Sequence, residues 1–135
     1  MAIEIPVSAG TLIDLIVILR IKKARIRDAA KRDVVERELE ALARVREAVP
    51  LLAEPPVLRL EAELVEANET LWEIEDELRT LEAKKDFGTR FVEQARRVYL
   101  TNDKRSALKK EIDRLAGSEF WEEKSFSRDE TAGTS

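Results

Sequence analysis

The sequence has no cysteine and no histidine, and only four glycines, four prolines and one methionine in 135 residues. Without cysteine there is no disulfide framework and no thiolate nucleophile, and without either residue there is no zinc site of the usual nitrogen and sulfur type. A Ser-His-Asp triad is excluded, as is any side chain with an unperturbed pKa near neutrality. Two Trp, one Tyr and four Phe are a small aromatic share. Long apolar runs are missing too. The most apolar stretch, 11–21, is broken by Asp14 and Arg20 and falls far short of the roughly 20 residues that span a bilayer, so no transmembrane segment is expected. The start, Met1-Ala-Ile-Glu-Ile-Pro6, has neither the positive charge nor the cleavage site of a secretory signal, which points to the cytoplasm.

What is present is charge and aliphatic bulk. There are 24 Lys+Arg and 28 Asp+Glu, a net charge of −4, and 44% of the chain is hydrophobic. This is the profile of long helices and coiled coils. The length allows one core. The expected fold is all-α: an antiparallel helical bundle with a short N-terminal extended segment, over residues 1–126, followed by a disordered polar tail at 127–135.

Ile3-Glu4-Ile5-Pro6-Val7 alternates apolar and polar, as an extended segment does. A helix follows, capped at Ser8 or Thr11, and Leu12 to Leu19 is apolar nearly all round. A helix with no polar face belongs at the centre of the core or under a second subunit. Its cationic end includes Arg20, Lys22, Lys23 and Arg25. Asp28 either caps a second helix carrying Val35, Leu39, Leu42, Val45 and Val49, or the first helix continues. Pro50 ends this run, and 51–56, with Pro55-Pro56, is the clearest connector.

The strongest periodic signal comes next. Val57, Leu60, Leu64, Ala67, Leu71, Ile74, Leu78 and Leu81 alternate steps of three and four, the a and d positions of a heptad. Leu58, Val65 and Trp72 recur every seven residues and widen the apolar face beyond one seam. Asp86-Phe87-Gly88 stops this helix, with Gly88 suited to a left-handed cap. A further helix from Thr89 carries Phe91, Val92, Ala95, Val98 and Tyr99. Its stripe lapses at 101–105 and resumes at Leu108, Ile112 and Leu115. Either the helix breaks there, re-capped by Thr101 or Asn102, or polar side chains interrupt the seam. Gly117-Ser118 ends it, and Phe120 and Trp121 are placed to dock the chain back on the core.

Three constellations carry possible chemistry. Glu63, Glu66, Glu69, Glu73, Asp76 and Glu77 have the helical spacing of a Mg²⁺-holding cluster, but they lie opposite the seam and read as a solvated face. Metal and other cofactors are therefore not expected. Residues 20–32 hold seven Lys/Arg and 84–110 hold nine, while 61–82 holds nine acids against one Arg. The chain is acidic overall and only Tyr99 offers a stacking ring among these bases, so the pattern favours pairing with the acidic helix over nucleic acid. The polar lapse from Tyr99 through Thr101, Asn102 and Asp103 to Arg105 is the leading site candidate, as a recognition cluster or as a helix cap. Asp14, alone in an apolar run, is either favoured by the helix dipole or the buried partner of a base such as Lys22 or Arg105.

These segments resemble a family of short bacterial helical proteins of unknown function. The likeness is carried by Leu12-Ile13-Asp14 with Ile16 to Lys22, by Leu71 to Asp76, by Asp86-Phe87-Gly88, by Ala95 to Arg105, and by Glu122-Glu123-Lys124-Ser125-Phe126. It covers about residues 3 to 126. The family is similar in having no established activity, and its members tend to be encoded near glycosyltransferases and surface-polysaccharide genes. The chain departs from the pattern at Leu15 and Arg20, where a base and an acid are expected, and at Phe126, where Tyr is expected. The resemblance supports Tyr99, Thr101, Asn102, Asp103 and Arg105 as positions of interest and adds Glu122, Glu123 and Lys124. It implies no reaction.

The expected function is a non-catalytic helical accessory or interaction protein, with a homodimer and a further protein partner. The link to surface glycan assembly comes from the resemblance alone. The alternative is an enzyme or binding protein for a phosphorylated or nucleotide-linked sugar, using the 99–105 cluster.

Overall fold

The computed structural model describes residues 1–117. They form α1 (Ala9–Arg25), α2 (Ala29–Glu47), a single 3-10 turn (Pro50–Ala53), α3 (Pro55–Ala83) and α4 (Thr89–Ala116), with no strand among the described residues. None of these helices is long and apolar enough to cross a membrane. Residues 1–8 precede the first helix without regular structure, and Ile3, Ile5 and Val7 are exposed. The extended segment expected there is not part of a sheet, because an alternating segment is stabilised only by a partner strand and the described fold contains none.

Ser8 caps α1: its hydroxyl accepts from Thr11 N at 3.1 Å. Leu12, Ile13, Ile16, Val17, Leu19 and Ile21 are all buried. The reason for this all-round apolarity is topological, since α1 packs against α2, α3 and α4. Each buried Leu or Ile contributes about 1.5–3 kcal/mol through area removed from water. Asp28 accepts from Lys31 N at 3.0 Å and opens α2 as a separate helix. Only Val35 of α2 is buried, with Leu39 and Leu42 half-buried, so this helix lies on the outside of α1.

The helices α3 and α4 make a long antiparallel hairpin. Of the heptad positions, Val57, Leu64, Ala67 and Ile74 are buried and Leu60, Leu71, Leu78 and Leu81 are half-buried. The turn departs from expectation. Lys85 takes the left-handed conformation, φ 55°, while Gly88 has φ −77° and is the N-cap of α4. Asp86 accepts from Gly88 N at 3.1 Å, and this local turn fixes the chain without using glycine's freedom. That freedom is used at Gly117, φ 63°, which caps the end of α4.

A second departure concerns the lapse at 101–105. The helix α4 runs through it without a break, so neither Thr101 nor Asn102 caps a new helix. Polar groups enter the seam because a buried acid on another helix meets them there.

Helix α1 contacts α3 at separated places. Arg20 reaches Glu61, whereas Arg25 reaches Glu73 at 3.7 Å and stands over the Trp72 ring at 5.7 Å. Glu61 and Glu73 are about 18 Å apart along α3.

Candidate functional site

Polar side chains from α3 and α4 gather around Asp14 of α1, which is 2% exposed. Arg105 of α4 donates to both of its oxygens, with Nε 3.0 Å from Oδ1. Asn68 of α3 donates to Oδ1 at 2.9 Å, and Lys109 Nζ lies 3.9 Å from Oδ2. Asn102 accepts from Arg105 Nη1 at 3.2 Å and steadies the guanidinium. A buried carboxylate is costly unless paired and hydrogen-bonded, and this one is held by donors on two other helices.

Two further buried acids do similar work. Glu61 of α3 binds Arg20 of α1 at 2.7 Å and also pairs with Arg46 of α2, so a single carboxylate ties three helices. Burial pushes the Glu61 carboxyl up, but hydrogen bonds and charge from Arg46 and Arg20 outweigh it and hold the group below the usual carboxylate range. Asp113 of α4 is 1% exposed; its Oδ1 accepts from Gly10 N at 2.7 Å, capping the start of α1 from outside, while its Oδ2 is buried without a hydrogen-bond partner among the described residues. On the surface, Arg90 donates to Glu77 at 2.7 Å across the hairpin and lowers that carboxyl as well.

Beside the Asp14 cluster lies a groove of about 430 Å³ between α1 and α3. Ile18, Ile21, Leu71 and Trp72 form its apolar walls, Asn68 lines its polar part, and Lys22, Glu75, Asp76 and Arg79 line the remainder. Its size lies within the range of small-molecule sites.

The residues expected to form a site divide between two faces of α4. Tyr99 and Asp103, one helical turn apart, are exposed on the outer face. Thr101, Asn102 and Arg105 are half-buried on the inner side, in line with Leu108 and Ile112. The five positions therefore do not converge on one ligand, and the Arg105 guanidinium is engaged by Asp14. Of the two readings of Asp14, the buried partner of Arg105 is the one the structure bears out. Glu122, Glu123 and Lys124, with Phe120, Trp121 and the tail, lie outside the described residues. The acidic series from Glu63 to Asp76 is exposed, as its register implies, with Glu77 half-buried beside Arg90.

Asn68, Glu61 and Asp113 were not singled out by the sequence reading. A signal exists for two of them. Glu61, Asn68 and Glu75 recur every seven residues immediately beside the seam. Asp113 has no comparable signal, since its role depends on Gly10 being brought to it. As a class, the described residues are an all-α bundle fastened by buried inter-helix ion pairs. Searches of family models, curated proteins and solved structures find no match to this chain.

Proposed function

We propose that this chain is a non-catalytic helical interaction protein that forms a homodimer through the outer face of α4. One observation carries the reading: Val92, Arg96, Tyr99, Leu100, Asp103 and Ala107 form one exposed stripe, with Val92, Tyr99 and Leu100 each just over 50% exposed. The stripe is self-complementary. Laid antiparallel on a second copy about a point between Tyr99 and Leu100, it sets Arg96 opposite Asp103 of the partner subunit, twice by symmetry. It also sets Val92 opposite Ala107 of the partner subunit. That is the requirement of a two-fold interface.

The described buried acids support a structural role, since Asp14, Glu61 and Asp113 are each engaged in joining helices. A role beside cell-surface polysaccharide assembly rests on the family resemblance alone. Sedimentation equilibrium tests the dimer. The wild type should show about twice the 15.4 kDa chain mass. Arg96→Glu should weaken association and Arg96→Glu with Asp103→Arg should restore it. A wild type that stays monomeric, or a reversal without effect, would remove this reading.

A further inference from the structure

The groove between α1 and α3 contains a recognition element that holding the helices together does not use. Asn68 is 7% exposed and lines that groove. Its amide nitrogen donates to Asp14 Oδ1 at 2.9 Å and to the Leu64 carbonyl at 3.0 Å. Both partners are pure acceptors, so the amide cannot be turned around and its oxygen is fixed as the remaining group. Among the described residues no donor reaches Asn68 Oδ1, yet that oxygen is not sealed from solvent. Asn68 lines the groove together with the apolar side chains of Ile18, Ile21, Leu71 and Trp72, so an occupant leaves water as it enters.

We infer that this groove is a binding site for a small uncharged molecule with an aromatic or branched apolar body and one hydroxyl or N–H donor, the donor pairing with Asn68 Oδ1. The charge around the groove supports a neutral occupant: Lys22 and Arg79 balance Glu75 and Asp76. An anion would gain nothing from Asn68 Oδ1, which is an acceptor. A body without a donor would bury that oxygen unpaired, which costs affinity. The site is independent of the dimer face on α4 and stands or falls without it.

A matched pair of probes tests the inference: 2-naphthol, which donates, and 2-methoxynaphthalene, which does not. Titrations of the full chain are followed by NMR at the Trp72 indole N–H and the Leu71 methyls. The expected result is 2-naphthol bound about threefold to tenfold more tightly, the worth of one neutral hydrogen bond. Asn68→Leu should erase the difference, and Ile18→Trp, which fills the groove from a half-buried position, should abolish binding of both. Equal affinities, no binding by either probe, or shifts confined to another part of the molecule would each overturn the proposal. If Asn68→Leu fails to fold, the wild-type pair and Ile18→Trp decide the question alone.

Discussion

Asp14 of α1 and Arg105 of α4, 91 residues apart in sequence, form a two-point ion pair with the carboxylate 2% exposed. It fixes how the first helix sits on the hairpin, and Asn68 and Lys109 complete it from α3 and α4. Removing only the acid takes a buried partner from both Arg105 and Lys109. Asp14→Ala should therefore destabilise the chain by about 3 kcal/mol in urea unfolding, toward the lower end for buried pairs because Arg105 keeps some exposure. Asp14→Leu combined with Arg105→Met should cost much less than the sum of the single changes. Additive single effects would show that the pair is not coupled.

Gly10 lies where α1 meets α4. A Cβ there would stand 2.3 Å from the Lys109 carbonyl oxygen and 2.8 Å from Asp113 Oδ1. Gly10→Ala should lower stability by about 1–3 kcal/mol, as overpacking does, although alanine is the better helix former by about 1 kcal/mol. A stabilised Gly10→Ala protein would mean that the two helices do not approach this closely.

Acid should act through Glu61. Its carboxyl is depressed in the folded chain by Arg46 and Arg20, so the folded state binds fewer protons than the unfolded one near its titration. The contribution is complete above the unfolded value of about 4.3 and is lost as pH falls through the lower folded value. Glu61→Gln should therefore be less stable than wild type at neutral pH, with the gap narrowing on acidification below about pH 4.3. Urea midpoints across that range measure it. A gap that widens in acid has the wrong sign for this account.

The outer and inner faces of α4 should respond differently. Asn102→Ala deprives Arg105 Nη1 of an acceptor at 3.2 Å and should cost about 0.5–1.5 kcal/mol. Tyr99→Ala removes an exposed ring and should change the stability of the monomer by less than about 0.5 kcal/mol. Thermal unfolding of the two variants under dilute conditions compares them. Similar losses in both would place Tyr99 on the inner side.

Much of the architecture was legible in the sequence. The unbroken steps from Val57 to Leu81 state the longest helix, Ser8 and Asp28 are among the caps that the sequence offers, and the apolar run 12–19 states a largely covered helix, although Leu15 is 39% exposed. These are local properties: a period, a hydroxyl or carboxylate before a helix, the absence of a polar face. The left-handed residue of the turn is Lys85, three positions before Gly88, because Asp86 fixes the turn without glycine's freedom. For the 101–105 lapse the sequence leaves a helix end and an interrupted seam both open. Cap preferences within a window cannot reveal an acid waiting on another helix, and that acid is why Arg105 is tolerated in the seam.

The sequence by itself determined that this chain is helical, where its core stripes run, and that cysteine and histidine chemistry are excluded. Only the tertiary structure decided which charges are buried and with whom. Pairing depends on distance between side chains of different helices, and the packing of α1 against α3 and α4 puts Asp14 beside Asn68 and Arg105, Arg20 beside Glu61 and Arg25 beside Trp72. The same packing leaves the groove beside Asn68, a space that no stretch of sequence contains.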